Sequence, residues 1–71
     1  MELREAIQQY RDVAGEQFQK PDPKQCYRRK SAWHILTKDG ALAAVVFPDG
    51  RVAWGAVLES ALREFVAGMA G

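Results

Sequence analysis

Half of the chain's ten Lys and Arg residues, Lys20, Lys24, Arg28, Arg29 and Lys30, fall in one short stretch, with Tyr27 among them. Cations at that density displace counterions from a phosphate backbone, and an aromatic ring between them can stack on a base. The plainer role for the same charges is to keep a loop solvated or to balance the acidic face of a neighbouring helix. His34 is the single histidine. A general base needs a nucleophile within reach and a carboxylate to orient it, whereas strand pairing sets Val45 beside His34. It therefore reads as a structural or interface residue, one that would make self-association sensitive to pH. Cys26 is the single thiol, and no Cys-His-Asp set can be placed around it. Gly40, Gly50 and Gly55 sit in turns that lack the following lysine and hydroxyl residue of a phosphate-binding loop. Glu59 and Glu64 have no metal-binding partner at a suitable spacing. The expectation is a chain that is not an enzyme, with no cofactor, no metal and no small-molecule substrate.

The elements that must position these residues belong to one domain, 1–71, small enough that its own core gives marginal stability. With one cysteine, disulfides cannot supplement that core, which leaves helix packing or self-association. The composition is 48% hydrophobic, that of a folded globule. Ten basic residues against nine acidic give a net charge of +1, so bulk electrostatics selects neither nucleic acid nor membrane. No apolar run approaches the roughly 18 residues of a membrane span, and MELREAIQQY lacks the apolar core of a signal peptide. These features place the expected protein in the cytoplasm, without a membrane.

The organising stretch is Trp33–Trp54, read as two β-hairpins sharing a middle strand. Asp39-Gly40 between apolar runs signals a two-residue type I′ turn, and Pro48-Asp49-Gly50 signals a three-residue loop closed by a left-handed glycine. Those loops pair Thr37 with Leu42, Ile35 with Ala44, Trp33 with Val46, Val46 with Val52, and Ala44 with Trp54. Alternation then gathers Trp33, Ile35, Leu42, Ala44, Val46, Val52 and Trp54 on a core face. Ala32, His34, Leu36, Ala43, Val45, Phe47, Arg51 and Ala53 fall on the other, which is also largely apolar.

Residues 2 to about 19 carry a helical stripe of Leu3, Ala6, Ile7, Tyr10, Val13, Ala14 and Phe18, ended by Pro21. Pro21 to Lys30 has no periodicity and reads as a connecting arm, shortened if a strand starts at Cys26 or Tyr27. A second helix from about Ala56 to Gly68 presents Val57, Leu58, Ala61, Leu62, Phe65, Val66 and Met69, with Gly71 in its frayed end. The predicted fold is α+β, a three-stranded antiparallel β-meander flanked by N- and C-terminal amphipathic helices (α-β-β-β-α). That order resembles the double-stranded RNA-binding domains, and a meander followed by a helix is similar to the AP2-type and integrase-arm DNA-binding domains. The RNA-binding family opens its last helix with a basic cluster, where this chain has Ala56-Val57-Leu58-Glu59. The AP2 type exposes arginines and aromatics from its strands, where Arg51, Trp33 and Trp54 are available and both tryptophans serve the core. The resemblance covers element order alone, and no family is assigned.

The functional expectation is a small non-enzymatic protein-interaction module, an adaptor or inhibitor of the kind bacteria and their viruses use, homodimeric and acting through Leu36, Val45 and Phe47 with His34 and Arg51 at the rim. If both helices pack on the tryptophan side, this second face is open; if they divide, one to each face, it is covered. The alternative function is nucleic-acid binding through Lys24, Tyr27, Arg28, Arg29 and Lys30, with Arg51.

Overall fold

The structure, a computed structural model, describes residues 1–70, with side chains as far as residue 68; the expected roles of Met69 and Gly71 lie outside its described side chains and residues. Helix α1 spans Leu3–Ala14, strands β1 to β4 span Tyr27–Arg29, Ala32–Leu36, Leu42–Val46 and Val52–Trp54, and helix α2 spans Leu58–Ala70. The fold is α+β, as expected, but the antiparallel sheet has four strands in the order β1-β2-β3-β4 rather than three. The added strand, β1, pairs Tyr27 with His34, Arg28 with Trp33 and Arg29 with Ala32. All three of its residues are exposed, so no buried face announces it in the sequence.

Helix α1 stops earlier than its stripe suggested. Gly15 takes φ 57° and its N–H bonds to Arg11 O, turning the chain into one 3₁₀ turn, Gly15–Gln17. Glycine reaches this positive φ because it has no Cβ to clash. At the other end the Glu2 N–H donates to the Glu5 carboxylate at 3.2 Å, satisfying one of the helix's free amides.

The hairpins keep the expected central register by a different route. Trp33 pairs with Val46, Ile35 with Ala44, Ala44 with Trp54 and Val46 with Val52. Asp39, however, has no positive φ, so the type I′ turn does not form there. Instead the Gly40 N–H bonds to Thr37 O and the Thr37 N–H to Ala41 O, the pattern by which Phe47, Gly50 and Arg51 close the second hairpin. The longer loop pairs Leu36 with Leu42 in place of Thr37, and a bulge between Ile35 and Leu36 restores the register beyond it. The bulge also exchanges two side chains between faces. Ala43 joins the cluster under α1, and Leu42 joins the one under α2, the reverse of the alternation expected from an unbroken strand.

The turn with two positive φ values is Lys30-Ser31, at 50° and 67°, between β1 and β2. Neither residue is one that normally accepts this geometry. Ser31→Gly is expected to raise stability by about 0.5 kcal/mol, the roughly 1–2 kcal/mol left-handed cost less the roughly 0.5–1 kcal/mol of chain entropy that a glycine forfeits on folding. A urea midpoint that falls would contradict the turn.

The helices divide. Ala6, Tyr10 and Ala14 of α1 pack on Ile35, Ala43, Ala44 and Val46, with Trp33, Val52 and Trp54 at the margin. Small residues at positions 6 and 14 let the helix axis approach the alanines of β3 closely, so Tyr10, Ile35 and Val46 carry most of this layer. Leu58, Ala61, Leu62 and Phe65 of α2 cover Ala32, Val45, Phe47 and Ala53 on the opposite face.

Candidate functional site

The expected apolar contact surface is brought together but covered. Val45 is fully buried, and Phe47 and His34 are 9% and 3% exposed. The Phe65 ring of α2 lies 5.8 Å from Phe47 and 6.1 Å from His34. Leu36 is half-buried. Arg51 stays outside, with its guanidinium 5.0 Å above the Phe47 ring and paired to Asp49 at 2.8 Å. In a single chain His34, Val45 and Phe47 form a floor under α2 with Arg51 at its edge, not an open face, because the two helices take one side of the sheet each.

His34 and Cys26 are held on opposite sides of the sheet. The Cys26 thiol packs with the α1 layer, donates to Asp22 O at 3.3 Å and accepts the Leu36 N–H at 3.4 Å, so it links the arm to β2. His34 is stacked on Tyr27, ring centroids 4.7 Å apart and planes 12° from parallel, with Phe65 edge-on. Its Nδ1 is buried without a hydrogen-bond partner among the described residues. Burial holds the imidazole below its ordinary pKa of 6.5; the Ala32 main chain opposes this and the Arg29 guanidinium adds to it. A base whose folded pKa is depressed binds fewer protons folded than unfolded. Its share of stability is therefore full above about pH 6.5 and declines as pH falls below it. Asp22, Asp39 and Asp49, all lowered from 3.8 by hydrogen bonds, contribute in a separate window, lost only as pH falls below about 4. Unfolding midpoints taken at pH 7 and pH 5 should differ in the native chain and coincide in His34→Phe; an unchanged difference would remove His34 from the effect.

The basic residues have the opposite placement. The end of the stretch that reads as an arm, Tyr27 to Lys30, becomes the exposed edge strand β1 and the first residue of the Lys30-Ser31 turn, while residues 21–26 stay a loop. Tyr27 is 47% exposed, one ring face backed by His34 and the other open. Arg28 projects on the α1 side, its guanidinium 5.5 Å from the Trp33 ring, while Arg29 shares the other side with Tyr27. Of the ten cationic side chains, only Arg51 and Arg63 form ion pairs among the described residues, which leaves eight unneutralised. All five cations of the Lys20–Lys30 stretch are among the eight, so the acidic face of α1 does not neutralise them through ion pairs.

Comparison with known families, curated proteins and solved structures finds no match.

Three contributors escaped the sequence reading. Lys38, in the first hairpin turn, joins Lys20 and Lys24 around one cleft, and Arg4 and Arg11 of α1 line a second cleft that shares Pro23 with it. The signal for Lys38 was its position next to Asp39-Gly40, at a hairpin tip that must project from the sheet. Among the described residues no helix is long and apolar enough to cross a membrane.

Proposed function

We propose that this chain is a nucleic-acid-binding module that grips the phosphate backbone along the β1 edge, acting in the cytoplasm and without catalysis of its own. The observation that carries this reading is a set of exposed cations without ion pairs among the described residues, Arg28 on one side of the β1 edge and Arg29 on the other with Lys30 next in the chain, beside an open tyrosine ring. Strand β1 covers two residue steps, about 7 Å, so its cations meet a short run of phosphates. The cations supply affinity and Tyr27 a stacking platform held flat by His34, so recognition follows backbone and base plane and not base sequence. A turn kept at two unfavourable backbone angles to project Lys30 supports the same reading, since such outliers concentrate at binding sites.

The test is a salt series of mobility shifts with mixed-sequence single-stranded oligonucleotides. Arg28→Ala, Arg29→Ala and Lys30→Ala together should weaken binding and reduce the slope of log affinity against log salt by about 2, at roughly 0.7 per lost contact. No shift by the native chain, or equal binding by the triple variant, would overturn the reading.

A second reading, a homodimeric protein-interaction module, rests on α2. Val57 and Val66 are 58% and 42% exposed, and Leu58, Ala61, Leu62 and Phe65 are only half-buried, which leaves apolar surface at that layer. Sedimentation showing a dimer that Val66→Asp converts to a monomer, with no nucleic-acid shift, would favour it.

A further inference from the structure

We propose that the cleft between the Lys20–Lys24 loop and the first hairpin turn is a phosphomonoester site, with Lys20, Lys24 and Lys38 as its cations. It deepens the nucleic-acid reading by naming the end of the ligand, and rests on that reading only for the phosphate's source.

The cleft is about 450 Å³ and is lined by those three lysines, Pro21, Asp22 and Pro23. Chain-distant lysines meet here because the loop is tied to the hairpin at several points. Pro21 bridges to Thr37, the Asp22 N–H donates to Leu36 O at 2.8 Å, and the Gln25 side-chain amide donates to Lys38 O at 2.7 Å. Two prolines stiffen the loop further. The walls are therefore set before a ligand arrives, which lowers the ordering cost of binding.

The single carboxylate in the cleft is already engaged. One Asp22 oxygen accepts the Lys24 N–H at 3.1 Å and the other accepts the Gln25 amide at 3.0 Å, and none of the three lysines forms an ion pair with it. Three ammonium groups against one carboxylate leave a surplus of two positive charges. A phosphomonoester carries about −1.5 to −2 at neutral pH, where a backbone diester carries one charge, so the surplus matches a terminal phosphate. Across Pro23 the second cleft, about 330 Å³, offers Leu3 and Ile7 as an apolar wall with Arg4 and Arg11 beside it, a seat for the nucleoside that bears the phosphate.

The experiment compares the full chain's affinity for one oligonucleotide with a 5′-phosphate and with a 5′-hydroxyl, and follows backbone amide shifts with adenosine monophosphate and with inorganic phosphate. The phosphorylated end should bind about tenfold tighter. Lys38→Ala should erase that preference, so that the two ends bind alike. Shifts with the mononucleotide should centre on residues 20–25 and 38. Equal affinity for both ends, with no shifts in those residues, overturns the site and leaves the backbone reading standing. Shifts there with the mononucleotide and no oligonucleotide binding at all support the site for a free phosphomonoester and overturn the nucleic-acid reading. A preference that survives Lys38→Ala also overturns it.

Discussion

Tyr10→Ala should remove about half of the chain's folding stability. Tyr10 is the largest of the fully buried side chains; its ring lies 4.9 Å from Phe18, and its hydroxyl accepts the Gln19 N–H at 3.0 Å. Truncating a buried aromatic costs roughly 3–5 kcal/mol, against a total of about 4–10 kcal/mol for a chain of this length. The alanines on either side of it cannot fill the space, because their shortness is what lets α1 approach β3. Tyr10→Phe separates packing from the hydrogen bond, and should cost about 1 kcal/mol while the chain stays folded. Circular dichroism and a urea titration read both. A folded Tyr10→Ala chain with a near-native midpoint would show that α1 is not seated as described.

Phe65→Ala should release α2 and leave the other layer in place. Phe65 is the ring that touches both Phe47 and His34, and α2 has no fully buried side chain of its own among those described. Its truncation costs about 2 kcal/mol, discounted from the value for a fully buried Phe because the residue is only partly buried. The loss falls where local stability is lowest. Native-state hydrogen exchange should show α2 amides losing protection while those of α1, β2 and β3 keep most of theirs. Uniform loss across all elements would mean that the two layers open as one cooperative unit, and the division of the core into two clusters would carry no energetic meaning.

Much of this architecture is legible in the residues, for identifiable reasons. The stripes of α1 and α2 follow from 3.6-residue periodicity, and Pro48-Asp49-Gly50 sets the β3–β4 register because a proline cannot donate to the ladder. Asp39-Gly40 is compatible with two loops that differ by one residue. Only a structure shows that the longer one forms and that a bulge at Ala43 compensates, which is why Leu42 and Ala43 exchange faces. Strand β1 is hidden by having no buried side chain, and by a connecting turn, Lys30-Ser31, built from residues that carry no turn signal. Periodicity identifies the apolar side of α2 but not the face of the sheet it seeks, so the covering of Val45 and Phe47 could not be read from the pattern. In the candidate site, Tyr27 to Lys30 were legible as a contiguous run. Lys38 was not, because what joins it to Lys20 and Lys24 is the hydrogen bond from Gln25 to its main chain.

The four strands lie in space in the order in which they are synthesised, each joined to the next by a turn of a few residues. Every pairing in the sheet is therefore a neighbour's pairing, and the cost of closing each loop is small. Hairpins of this kind assemble within roughly 1–10 μs, so the sheet can zip from any of its three turns. The longest excursion is from α1 to its seat on β3 and β4, and mutations on that helix should slow refolding more than mutations on α2 if that docking belongs to the barrier.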